Sequence, residues 1–172
     1  MATEKANSGS SARKGKAVEH LVAASCILAS GGELNASTSL VDDEGIDIVF
    51  HRRGQSRTLA VQVKSRFDEP GGSTHLHEHG TFIGDVRLAS FHPTDRTYML
   101  FVSVRSKDAD FGPVWLVPSH AFHAQAMKTG PEKETLRFSA SKKAGTKDQW
   151  VKYRLEKAEL AAKILDVLKN LP

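Results

Sequence analysis

Between Gly45 and Lys64 the chain carries a carboxylate, an amide and an ammonium that strand geometry would gather on one surface: Asp47, Gln62 and Lys64. The stretch reads GIDIVFHRRGQSRTLAVQVK, two alternating apolar runs around a polar connection that contains Gly54. Alternation with a period of two argues for half-buried strands, and the connection argues for a hairpin. Ile46, Ile48 and Phe50 then share one face and put Asp47 on the other, while Leu59, Val61 and Val63 leave Gln62 and Lys64 together opposite them. Carboxylate and amide oxygens suit a hard cation, and an ammonium balances phosphate charge or steers a water.

The elements that must hold these residues follow from pattern. From Arg13 to Ser30, Val18, Leu21, Val22, Ser25 and Leu28 recur at helical spacing, and Gly31-Gly32 stops the helix. Glu19 sits on a narrower stripe with Ala23 and Cys26; it either faces solvent or projects as the carboxylate of a face laid on a sheet. Glu33 to Val41 reads as a first strand, and the acidic DDEG after it as a turn, whose Asp42, Asp43 and Glu44 are turn residues before they are metal ligands. Arg52, Arg53 and Arg57, with His51, crowd the hairpin connection, either as a solvated tip or as a phosphate contact.

Beyond Lys64 the pattern breaks in SRFDEPGGSTHLHEHG, an exposed excursion. Its His75, His77 and His79 would share a face if extended; three histidines without cysteine make a poor structural zinc site, so a polar loop near substrate is the alternative. Thr81 to Ser90 and Arg96 to Arg105 read as strands, the second apolar enough to be central and covered on both sides. A turn from Asp108 to Pro113 precedes a short strand, VWLVP, and Ser119 is expected to cap a helix ending near Gly130. Thr135 to Ala140 reads as an edge strand, SKKAGTKDQW as a basic loop, and Leu155 to Leu171 as a closing amphipathic helix. Trp115 and Phe122 are expected in the core, and His120 and His123 to be structural or on the surface.

Composition sets the outer bounds. The chain of 172 residues suits one domain, expected over residues 13–172 behind an unstructured leader of residues 1–12. The leader lacks the apolar centre of a secretory signal, and no apolar run reaches membrane-spanning length. One cysteine, Cys26, rules out an intrachain disulfide and reads as a small buried hydrophobe, which makes the cytoplasm the expected location. A formal charge of +4 leans modestly toward a polyanionic partner.

Taken in order, GKAVEHLVAA, EGIDIVF and LAVQVKS resemble the PD-(D/E)XK nuclease superfamily, across roughly Gly15 to Ser65. The resemblance is to small bacterial QVK-type members with a Holliday-junction-resolvase-like core. It implies a restriction-endonuclease-like α/β fold: a central mixed β-sheet flanked by helices, with an αβββαβ-type core and inserted strands. It further implies Mg2+ or Mn2+ held by Asp47, the side-chain carbonyl of Gln62, the backbone carbonyl of Val63 and Glu19, with Lys64 orienting or deprotonating the attacking water or balancing phosphate charge. The implied activity is metal-dependent phosphodiester hydrolysis, on DNA, in restriction, repair, recombination or defence, by analogy as a homodimer. Lys16, Arg52, Arg53, Arg57, Lys142, Lys143 and Lys147 offer charge to the phosphate backbone. The departure from the family pattern is Gln62, which stands where the family name expects an acidic residue and removes a negative charge. Two further readings therefore stay open: a nucleic-acid-binding module of the same fold that has lost efficient metal binding, and a structural partner subunit.

Overall fold

The computed structural model describes residues 2–38, 45–68 and 80–172. Asp42, Asp43, Glu44, His75, His77 and His79 lie outside them. Helix α1 (Ala2–Ala29) starts well ahead of Arg13 and takes in the stretch expected to be an unstructured leader; Ala2, Glu4, Lys5, Ala6 and Ala12 are strong helix formers and carry it through the serines. The helix stops where expected. Gly31 and Gly32 both adopt positive φ, +61° and +79°, and the Gly32 N–H donates to the Ile27 carbonyl at 2.9 Å, satisfying a group the last turn would orphan.

Strands β1 (Leu34–Thr38), β2 (Ile48–Arg52) and β3 (Thr58–Phe67) form an antiparallel meander. β3 then pairs in parallel with β5 (Thr97–Arg105), which pairs antiparallel with β6 (Asp110–Pro118), and β9 (Arg154–Leu155) closes the edge. The order β1-β2-β3-β5-β6-β9 is the expected central mixed sheet. A second sheet, β4 (Thr81–Arg87), β8 (Thr135–Ser141) and β7 (Met127–Thr129), runs β4-β8-β7. Helices α2 (Ser119–Gln125) and α3 (Lys157–Asn170) complete the chain.

The two faces of the central sheet are covered by different material. On one, α1 and α3 bring Val18, Val22, Cys26, Ile164 and Leu168 against Ile48, Phe50, Leu59, Val61, Leu100 and Val102. On the other, Phe82, Phe138 and Phe122 from the second sheet and α2 meet Met99, Phe101 and Trp115. The rings of Phe101 and Phe138 stack with centroids 3.8 Å apart. β5 lies between the layers, and its residues Met99 to Val104 are all buried, as a doubly covered central strand requires.

Several local expectations give way to tertiary pairing. Between β3 and β5 the described residues carry β4, one of the strands inserted into the core, and one 3₁₀ turn, Leu88–Ser90. Phe82, Gly84 and Val86 alternate inward, so this segment pairs with β8 as a strand. β8, expected at an edge, is the middle of its sheet. The helix after β6 ends at Gln125, short of Gly130, because Met127–Thr129 joins β8 as a strand. Ser119 does not cap it. The cap position is Pro118, and the fully buried Ser119 hydroxyl ties down a loop instead, donating to the Thr94 carbonyl at 2.9 Å and accepting from its N–H at 3.0 Å. β6 begins at Asp110 rather than Val114, and Leu155 belongs to β9, ahead of α3.

Cys26 is 2 % exposed at the seat of α1 on the sheet, and burial pushes its thiol up to about 12. A thiol-titrating disulfide reagent at pH 8 should therefore leave the native protein unmodified and label it fully in denaturant. Rapid labelling of the native chain would show that α1 is not seated on the sheet.

Candidate functional site

The site is built where β2 begins. The Asp47 N–H donates to the Val61 carbonyl at 3.0 Å, immediately ahead of the Ile48↔Val61 pair with which β2 begins. Gly45, just ahead of the strand, adopts a positive φ of +67°. The next N–H of β3, on Val63, has lost its backbone partner, and the Asp47 carboxylate takes that place with Oδ2 accepting at 2.6 Å. The carboxylate is thus anchored on β3.

Gln62 is 7 % exposed, yet among the described residues nothing hydrogen-bonds to its carboxamide. It faces a cavity of about 400 Å³. Lys64 is half-buried, two residues on along the same face, and its ammonium has no hydrogen bond or ion pair among the described residues. The hairpin therefore holds an anchored carboxylate, an unsatisfied amide and an unpartnered cation on adjoining positions. Glu19 projects from α1; its side chain is 12 % exposed and accepts from the Lys16 ammonium at 2.7 Å.

The donor set at Asp47, Gln62 and Val63 is all oxygen, which fits Mg2+ or Mn2+ and would suit a soft metal poorly. Its charge is low. Among the described residues no three His, Cys, Asp or Glu side chains gather in one group, so a dication here would lean on one carboxylate and neutral carbonyls.

The basic residues predicted to meet phosphate do not form one surface. Arg52 pairs with Glu33, and Arg57 donates to the Lys169 carbonyl at the end of α3 at 2.9 Å, where it also opposes the helix dipole. Arg53 is exposed beside them. At about 3.3 Å per residue this hairpin tip lies roughly 20 Å along β3 from Lys64. The other group is at the Lys64 end. Lys142, with a side chain 13 % exposed, pairs with Asp68 just past β3, and its carbonyl accepts from Arg154 at 3.0 Å, while Lys143 and Lys147 are exposed on the same loop.

Sequence reading missed Arg66, which continues the Gln62, Lys64 face by one more step of two and could have been found from that alternation. Burial lowers its guanidinium from the usual value and nearby Asp85 opposes the shift; Asp85 itself is held bidentately by Arg137 at 2.8 and 3.1 Å. It also missed Ser90, His92, Thr94 and Thr97, which line the cavity beside Gln62. Nothing in a local pattern marks them, because they enter from the loop between β4 and β5.

No family model and no curated protein sequence matches the chain. Among solved structures, a bacterial homing endonuclease, I-Ssp6803I, matches over 90% of this chain and 90% of its own, with a TM-score of 0.50 and 19% identity. At that identity the likeness is one of fold: the chain has a mixed α/β fold of the kind an endonuclease uses. No described helix is long and apolar enough to cross a membrane.

A Cβ built on Gly45 would lie 2.8 Å from Gln62 Nε2 and 3.3 Å from the Ser90 carbonyl, in a left-handed conformation that costs a non-glycine residue about 1–2 kcal/mol. Gly45→Ala should lower the denaturant midpoint by at least that equivalent and displace Gln62. An unchanged midpoint would place Gly45 outside the left-handed region.

Proposed function

We propose that this chain is a metal-dependent endonuclease of the PD-(D/E)XK type that hydrolyses phosphodiester bonds in DNA. The observation that carries this reading is the hairpin, on which Asp47, Gln62 and Lys64 lie close together with the Lys64 ammonium unpartnered among the described residues, in a fold similar to that of a homing endonuclease. Asp47 is the principal ligand of Mg2+ or Mn2+, with the carbonyl oxygens of Gln62 and Val63 beside it and Glu19 joining directly or through a water. The cation, when bound, supplies positive charge to the non-bridging phosphate oxygens. Lys64 supplies the remaining charge and orients the water that attacks phosphorus. The backbone of Val63 keeps the Asp47 carboxylate aimed while this happens. Lys143 and Lys147 hold the flanking phosphates, and two copies acting together would make the paired cuts of a duplex. The activity belongs in the cytoplasm, in restriction, repair, recombination or defence.

A second reading has its own support. Gln62 lacks the negative charge of the usual ligand and the Asp47 carboxylate already serves the Val63 N–H, which favours a binder of nucleic acid that does not cut it.

The purified chain, incubated with supercoiled, linear, branched and single-stranded DNA, should cut in Mg2+ or Mn2+ and stop in chelator. Asp47→Ala and Lys64→Ala should each lower the rate by about a hundredfold or more while binding persists. Cutting that survives both chelator and Asp47→Ala sinks the enzyme reading, and binding without cutting of any substrate selects the second.

Phosphate contact also has a salt signature. Lys143→Ala and Lys147→Ala should weaken binding evenly across sequences and each reduce the slope of log K against log salt by about one. Unchanged slopes would remove this loop from the interface.

A further inference from the structure

The Gln62 carboxamide offers more than metal binding alone would use. A primary amide carries two donors and a carbonyl acceptor, and among the described residues no protein group hydrogen-bonds to them. A cation would use only its oxygen. The amide nitrogen still faces the cavity of about 400 Å³, a volume in the range of small-ligand sites.

The walls of that cavity set fixed polar groups among the apolar surfaces of Ile46 and Phe91. Thr94 and Thr97 join their hydroxyls at 2.7 Å, which leaves each with further hydrogen-bonding capacity toward the opening. The Thr94 backbone is held through both its N–H and its carbonyl by the buried Ser119 hydroxyl, so this wall is preorganised. On the other side the Gly45 backbone approaches Gln62 and the Ser90 carbonyl as closely as a residue without a side chain permits. His92 is exposed at the mouth. The cavity shares Gln62 with the candidate site, and its wall includes Ile46, the residue before Asp47 in the chain.

We propose that the cavity beside Gln62 receives one unstacked nucleotide of the DNA strand being cut, next to the scissile phosphate, with the Gln62 amide and the Thr94 and Thr97 hydroxyls hydrogen-bonded to the edge of its base. A base edge offers donors and acceptors together, which the amide, the hydroxyls and the Ser90 carbonyl match, whereas a bare phosphate would use donors only. His92 lies where the strand enters and can donate to its backbone. Because a base must leave its stack to enter, DNA with an unpaired base at the cut site is the preferred substrate class. This inference rests on the nuclease reading.

Binding in chelator tests it without any dependence on cutting. The full chain is titrated against a DNA duplex with 2-aminopurine paired in its centre and against the same duplex with the 2-aminopurine in a one-base bulge. The bulged duplex should bind about tenfold more tightly or better, with a change in 2-aminopurine fluorescence as the base is taken up. Thr97→Leu, which fills the cavity, and His92→Trp, which blocks the mouth from an exposed position, should each reduce that preference below about twofold. Equal affinity of the wild-type chain for both duplexes overturns the inference, as does a preference that both variants retain. If the paired duplex is cut in an Asp47-dependent way with no preference for the bulge, the inference fails and the nuclease reading stands. If neither duplex binds, both fall.

Discussion

The hydrogen bond from the Val63 N–H to the Asp47 carboxylate, 2.6 Å long, joins the fold of this chain to its candidate chemistry. It lies where the paired register of β2 with β3 begins, at Ile48, two residues after the positive-φ Gly45. An N–H left bare inside a sheet would be costly, so a side chain completes the ladder. The same contact fixes the carboxylate on Val63, between Gln62 and Lys64, neither of which has a side-chain hydrogen bond among the described residues. Strand pairing, turn and polar face depend on one another through this bond.

The surrounding layers give the polar face its character. With α1 and α3 on one side of the central sheet and the aromatic second sheet on the other, β3 buries its apolar residues against the helices and is partly covered on its polar face. Lys64 and Arg66 are consequently half-buried cations, and a charge held partly out of water interacts more strongly with an incoming phosphate than a lysine at a loop tip. Exposed basic residues divide by position along β3. The arginines of the hairpin tip are occupied by Glu33 and the end of α3 or lie far from Lys64, whereas the loop carrying Lys143 and Lys147 is tied to the near end of the strand through Lys142 and Asp68.

A good deal of this was legible beforehand in particular residues. Alternation in IDIVF and LAVQVK placed Asp47, Gln62 and Lys64 on their faces, and the paired glycines after Ala29 marked the end of α1. The apolar run in β5 announced its central position. Ser119, by contrast, has the composition of a helix cap and serves instead as a clamp on Thr94, because the loop before β5 arrives beside it. β8 looked like an edge strand since nothing local reports that β4 and β7 flank it. Lys142 counted as a surface cation until Asp68, distant in sequence, came to lie against it.

The sequence by itself determined the helix and strand periodicities, the turn at Gly45 and the facing of the hairpin's polar residues. These depend on bond geometry among consecutive residues, which a linear pattern records. Only the tertiary structure decided that β8 sits between β4 and β7, that the Ser119 hydroxyl holds Thr94, and that Gln62 opens onto a walled cavity formed with Ser90, His92, Thr94 and Thr97. Those outcomes depend on segments far apart in the chain competing for the same faces and hydrogen-bonding groups, and burial, which settles that competition, is a property of the assembled layers.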